Sequence, residues 1–315
     1  MSVAMNMISP KQGRNVALVV GPTASGKSAL ALDIAKKQPS VIINADSAQV
    51  YRDLTILSAR PTEEEMQGIE HQLFGYIDGE EACSAARWAS DAKTAIAAAH
   101  ERDILPILVG GTGLYVRILL EGIAPIPEIE PEIRQEIRKM ETLEAYRALQ
   151  QIDPVSAERL NDTDTTRIQR ALEVAKSTGK PLDHWQKYKV GGIGKDIKLH
   201  PLVLLPPREW LYERCDRRLH EMVDRGAREE VERLMSRNLP ANLPVMRAIG
   251  VAEIAAWIVG DFSRDIAIER AQIATRQYAK RQYTWFRNQS PAAWPRAEDI
   301  LNNDININFE TILQY

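Results

Sequence analysis

Residues 16–37 read VALVVGPTASGKSALALDIAKK, and the reading of this stretch decides the fold. Val16 to Val20 is a short continuous apolar run ending at glycine, the pattern of a strand buried on both faces. A helical pattern follows over 28–37. Between them stands Gly21-Pro22-Thr23-Ala24-Ser25-Gly26-Lys27-Ser28, a glycine, four residues, then Gly-Lys-Ser. Such a loop can turn successive backbone N–H groups inward at an anion, with the positive end of the next helix behind them. Lys27 adds a point charge, and the Ser28 hydroxyl is a candidate ligand for Mg²⁺. The bland alternative is a glycine turn ahead of a helix, with a solvated lysine.

Working outward, VIINADS at 41–47 is a second buried strand and ILPILVGG at 104–111 a third, the latter preceded by the alanine-rich helix DAKTAIAAAHER. Short apolar strands alternating with helices predict an α/β protein, a parallel sheet flanked by helices. EGIAPIPEIEP at 121–131 is a proline-spaced break. Polar helical patterns follow at 132–150 and 165–178, and GGIGKDIKLHP at 191–201 is a second break before LVLL at 202–205 rejoins the sheet. The expected organisation is a core domain, 1–121 and 196–315, interrupted by a helical insertion over 122–195. Beyond 208 the core is expected to be mostly helical.

The whole chain has 315 residues, 26% of them charged, and a formal net charge of −3, so any polyanion surface must be a local patch. Cys83 and Cys215 stand alone, which argues against a disulfide framework or zinc site. The five histidines show no ligand spacing. No window is apolar enough to span a membrane and the first residues lack a signal-peptide core, so the expected setting is cytoplasmic.

A nucleotide hydrolase places an acid after another apolar strand to hold its metal. ILPILVGGTGLY ends instead in glycines and Thr112, and the acid follows the second strand, as Asp46. Carboxyl ends of neighbouring parallel strands share one crevice, so Asp46 is expected beside the loop, where it can take a proton from an acceptor. Capping of a following helix is the competing reading. These residues fit a small-molecule kinase or an enzyme with a diphosphate leaving group equally well. Residues 269–289, ERAQIATRQYAKRQYTWFRNQ, interleave cations with aromatics. That is either a track for nucleic acid or an amphipathic core helix. Arg167 and Arg170 form a smaller basic pair on the insertion.

Taken together, GPTASGKS, INADSAQVYRDL, VGGTGLYVR, TRIQRALEV, RAIGVAE and YAKRQYTWFR resemble, in order and from residue 21 to about 287, the tRNA dimethylallyltransferase (tRNA isopentenyltransferase) family. The resemblance implies a P-loop NTPase-like core whose loop takes dimethylallyl diphosphate, and an insertion that grips the anticodon stem-loop of tRNA. It implies transfer of the prenyl group to N6 of the adenosine 3′ of the anticodon; nothing in the sequence suggests an obligate interface, so the expected state is a monomer. Residues 21–28 would hold the diphosphate, with Thr23 and Asp46 catalytic and Ser28 on the metal. Asp46, Ser47, Ala48, Gln49, Thr112, Arg134, Thr166, Arg167, Ile168, Gln169, Arg170 and Arg247 would meet tRNA, with Arg134 also near the diphosphate. Four departures stand out: Ser28 where the family usually has Thr, SARPTEEE in place of GTAKPT, one histidine in EHQLFGYID where the family tends to have two, and extra residues in DTDTTR.

Overall fold

The computed structural model describes residues 14–300. Among these residues eight strands form: β1 Arg14–Val20, β2 Ser40–Asn44, β3 Glu70–Gln72, β4 Leu105–Gly110, β5 Gly122–Ile123, β6 Val190–Gly191, β7 Ile197–Leu204 and β8 Arg296–Ala297. The helices before the second sheet are α1 Lys27–Ala35, α2 Glu63–Met66, α3 Ala85–Glu101 and α4 Gly113–Glu121. Then come α5 Pro131–Lys139, α6 Thr142–Ile152, α7 Pro154–Arg159, α8 Thr165–Thr178 and α9 Leu182–Gln186. The last group is α10 Arg208–Asp224, α11 Ala227–Ser236, α12 Val251–Ile258 and α13 Arg264–Gln289.

By contacts the chain divides into two compact units, one containing residues up to Leu119 and from Gly194, the other Leu120–Ile193. The first is built on a six-stranded sheet in the order β3-β2-β4-β1-β7-β8, every pairing of which is parallel. The expected α/β class with a helix-flanked parallel sheet is therefore what forms. Val16–Val20 are buried on both faces, as a central parallel strand requires. Helices cover the sheet; α3, for example, starts at the Ser84 cap, whose hydroxyl accepts the Arg87 N–H, and buries Trp88, Ala92 and Ile96. Because the strands run in parallel, the segments after β1, β2 and β4 emerge at one edge.

β7 is longer than LVLL suggested. Its residues from Ile197 onward pair with β1 from Arg14 onward, so the polar KLHP segment belongs to the strand and not to a break. The partner strand, not local apolarity, decides this. His200 is buried there with Nε2 2.9 Å from Asn15 Oδ1, a structural histidine. Among the described residues no helix is long and apolar enough to cross a membrane.

The second unit packs α5 to α8 around Ile137, Ala145, Leu149, Ala157, Ile168, Ala171 and Leu172. The helical pattern expected over 132–150 is broken at Met140, whose extended backbone separates α5 from α6. α7 lies in the gap between the two predicted helical stretches. Asp153 caps it by accepting the Ser156 N–H, and Pro154 occupies its first turn. β5 and β6 pair antiparallel at the two ends of this unit's chain.

Candidate active site

The loop after β1 turns back on itself before α1. Ser25 N–H donates to the Pro22 carbonyl at 3.3 Å, Ala24 has φ +63° and Gly26 φ +92°. Gly26 occupies the cap position of α1, where only glycine adopts this backbone without strain. Lys27 Nζ donates to the Pro22 carbonyl at 3.2 Å, folding the ammonium over the loop. Burial pulls its pKa from 10.5 to about 8; the Asp46 carboxylate opposes the fall and Arg218 adds to it. That coupling puts Lys27, Arg218 and Asp46 in one electrostatic neighbourhood.

Asp46 is fixed by the residue at the end of β2. The buried Asn44 side chain accepts the Asp46 N–H at 2.8 Å and donates to the Asp46 and Leu73 carbonyls. Asp46 Oδ1 accepts the Ala48 N–H at 3.0 Å. The carboxylate therefore closes a tight turn over 46–49, and the helix it was weighed as capping does not form there. Thr112, at the end of β4, locks the same turn: its hydroxyl accepts the Ser47 N–H at 2.9 Å and donates to Ser47 Oγ at 3.1 Å.

Between these loops lies a cavity of about 330 Å³ lined by Thr23, Asp46, Ser47 and Ala48, with Arg218, Arg247 and Arg281 as its cations. Leu57, Leu219, Met222 and Ile249 give it an apolar wall. Asp46 is its one carboxylate among the described residues. Tyr278 also faces it; burial first, then Asp46, raises the phenol's pKa, so it stays neutral. The wall at Leu57 and Ser58 is held from behind, since Glu230 of α11 accepts the N–H groups of Thr55, Ile56 and Leu57 at 2.7–2.9 Å.

Two expectations for this site need correction. The Thr23 N–H is not free for an anion, because Gln282 Oε1 accepts it at 2.7 Å. Gln49 does not line the cavity; its side-chain amide donates to the Ser58 and Ala59 carbonyls and braces the wall. Three residues not anticipated belong to the site: Arg218, whose guanidinium donates to the Thr23 hydroxyl, Gln282 and Asn44. Arg218 had a signal in the sequence. It is a cation on the buried stripe Leu211, Cys215, Leu219, Met222 of α10. Gln282 lies inside the quoted YAKRQYTWFR segment, but an amide among cations and aromatics carries no signal of its own.

The basic aromatic segment is chiefly a core helix. Phe286 is fully buried, Arg276 meets both Asp216 oxygens at 2.7 Å, and Arg270 lies over Phe262. Arg281 remains exposed and lines the cavity, as does Arg247. Cys83 and Cys215 are free thiols.

On the second unit Thr166 and Arg167 are exposed on α8, with Arg167 3.4 Å from Asp164. Ile168 is a correction: its side chain is wholly in the unit's core and presents nothing to a partner. Gln169 donates to the Ile137 and Met140 carbonyls. Arg134, Arg138 and Arg170 approach the Glu173 carboxylate at 3.9, 3.2 and 3.3 Å. Glu173 is 3% exposed while the three guanidinium side chains are 41–62% exposed, so one buried anion fixes a cationic surface.

A glycine-bounded loop on a parallel sheet, with a fixed carboxylate on the same part-apolar cavity, fits a transferase. Residues 49–289 match the model of the IPP transferase family. The chain is 58% identical over 291 residues to the tRNA dimethylallyltransferase of Sphingopyxis alaskensis, covering 92% of this chain and 95% of that one. It is 61% identical over 261 residues to that of Novosphingobium aromaticivorans, covering 83% and 93%. Among solved structures, the tRNA isopentenylpyrophosphate transferase of Bacillus halodurans aligns with a TM-score of 0.67 at 32% identity, covering 96% of this chain and 94% of that one. A eukaryotic dimethylallyltransferase acting on tRNA aligns with a TM-score of 0.79 at 27% identity, covering 95% and 78%. The chain belongs to the IPP transferase family.

Proposed function

We propose that this protein transfers the dimethylallyl group of dimethylallyl diphosphate to N6 of the adenosine 3′ of the anticodon in tRNA, releasing diphosphate. The observation that carries the reading is that one cavity is lined both by Asp46 and by the hydrogen-bonded Thr23–Arg218 pair. Breaking the allylic C–O bond piles negative charge on the departing oxygens, and Lys27, Arg218 and the amides of residues 24 and 26–28 are the groups that would receive it. The adenine amine is a weak nucleophile because its lone pair is delocalised, so holding it against the allylic carbon supplies much of the acceleration. Asp46 takes the N–H proton.

The apolar wall formed by Leu57, Leu219, Met222 and Ile249 suits the prenyl group and excludes water that would intercept the developing cation. The base enters from a single-stranded loop, where leaving the stack costs least. Arg247 and Arg281 at the cavity, and Arg134, Thr166, Arg167 and Arg170 on the second unit, are the tRNA-facing residues of this reading. In this reading the protein is a monomeric, cytoplasmic enzyme.

Mg²⁺ fits the donor set. Ser28 offers one exposed hydroxyl in the first turn of α1, and no cluster of three His, Cys, Asp or Glu is present among the described residues. Mg²⁺ characteristically takes few protein ligands beside substrate phosphates and water. When bound it would draw charge from the leaving diphosphate.

A kinase reading would make ATP the donor; the relatives that share most of this chain are named as dimethylallyltransferases, which disfavours it. The test offers an unmodified anticodon stem-loop with dimethylallyl diphosphate or with ATP. A mass gain of one five-carbon prenyl unit on the adenosine, seen only with the diphosphate, supports the proposal. Phosphorylation or no product overturns it.

A further inference from the structure

We infer that Gln282 is a positioning residue that sets the spacing between the anion-holding loop and the base-bearing wall of the cavity; this rests on the transferase reading above. Gln282 is buried on α13 and is not among the cavity-lining residues, so it acts through others. Its Oε1 accepts the Thr23 N–H at 2.7 Å, and its Nε2 donates to the Gly111 carbonyl at 2.9 Å. Those two partners belong to the two halves of the site. Thr23 leads to the leaving-group side, its hydroxyl held by Arg218. Gly111 leads to the acceptor side: the next residue, Thr112, holds Ser47 through its hydroxyl and donates its N–H to the Ala45 carbonyl at 3.2 Å. Asp46 stands between those two.

The fit is tight. A Cβ at Gly111 would lie 2.2 Å from Gln282 Nε2 and 3.2 Å from Asp46 Oδ2. One turn further along α13, Trp285 fills the space beside Gly113, where a Cβ would lie 2.2 Å from its ring. The helix is therefore seated on the β4 loop at two points. The chemistry of the strut also selects its residue type. One end must accept a hydrogen bond and the other must donate one, across a planar group of fixed width. Asparagine is a methylene short, and a glutamate would set an oxygen against the Gly111 carbonyl.

The role makes the strut a control on geometry rather than on ligand affinity, because displacement of reacting groups by about 1 Å is enough to cost on the order of a hundredfold in rate. The experiment compares the full chain with Gln282→Met, which keeps length without hydrogen bonds, and Gln282→Glu, which keeps only the acceptor for Thr23. Single-turnover prenyl transfer, dissociation constants for dimethylallyl diphosphate and for tRNA, and melting temperature are measured for each. The inference expects the transfer rate to fall at least about tenfold in both variants, with both dissociation constants unchanged. It also expects the loss to be less than additive with Asp46→Asn. A melting temperature that falls with an unchanged rate would assign Gln282 to packing alone and overturn the inference. Weaker binding with an unchanged rate overturns it too, by making the residue a ligand contact. Should Gln282→Met fail to fold, the near-isosteric Gln282→Glu decides on the same readouts. Failure of the unaltered protein to prenylate tRNA is a separate outcome and strikes the transferase reading itself.

Discussion

The guanidinium of Arg218 donates to the hydroxyl of Thr23, joining α10 to the phosphate loop across 195 positions of sequence. Burial lowers the pKa of this arginine, yet an arginine stays charged, so a costly cation is held where a diphosphate would neutralise it. Arg218→Gln is expected to lower kcat/KM for dimethylallyl diphosphate about a hundredfold, the scale of losing one preorganised donor. Its melting temperature should equal or exceed that of the parent, since an unpaired buried charge has gone. Steady-state kinetics and a thermal melt check both halves.

Asp46 offers a sharper separation of chemistry from binding. Its Oδ1 accepts the Ala48 N–H, a contact the amide oxygen of asparagine can keep. Asp46→Asn should therefore preserve the 46–49 turn and tRNA affinity. Turnover should fall by about 10² to 10⁴, the usual contribution of a general base. Wild-type turnover in this variant would remove Asp46 from the proton-transfer role.

The depressed pKa of Lys27, about 8 against 10.5, predicts a pH dependence with a definite sign. Below about 8 the free enzyme carries the ammonium; above it the cradle loses a charge. Affinity for inorganic diphosphate should accordingly weaken as pH rises from 7 through 9, and Lys27→Met should flatten that profile while lowering affinity throughout. For stability the sign is opposite. The buried cation destabilises the fold fully below pH 8, and this relaxes between 8 and 10.5, where the unfolded chain binds the extra proton. Titration calorimetry gives the first trend and urea unfolding across pH the second.

Which of these features could be read from the sequence follows from how local their causes are. The loop of residues 21–28 is legible because its geometry is fixed by its own glycines and by the strand and helix on either side. Asp46 is legible because a strand's carboxyl end places its next residue. The full length of β7 is not legible, since KLHP is held in the sheet only by β1, a strand some 180 residues earlier. Arg218 and Gln282 act on Thr23 from 195 and 259 positions away. Their roles depend on how α10 and α13 seat against the sheet, which no local pattern encodes. The motif alone does not separate Ile168 from its neighbours; the helical period that buries it also exposes Arg167, and that period is the better guide to what a partner can touch.

That same period on α8 yields a test of the basic surface. Arg167 is exposed and only loosely paired, 3.4 Å from Asp164, so its removal should cost no stability. If it meets a phosphate, Arg167→Ala lowers the slope of log affinity for tRNA against log salt by about 0.7 to 0.9. Arg170 differs because it shares the buried Glu173 with Arg134 and Arg138. Arg170→Ala should give a similar loss of slope together with a lower melting temperature, as Glu173 loses one of its cations without water to replace it. Glu173→Gln should leave the fold intact and loosen all three guanidinium groups. Binding then weakens through lost preorganisation while the salt slope, set by the unchanged number of cations, stays where it was. Filter binding at several salt concentrations, paired with a thermal melt of each variant, distinguishes the three, and equal affinities for all of them would move the tRNA contact off this face of α8.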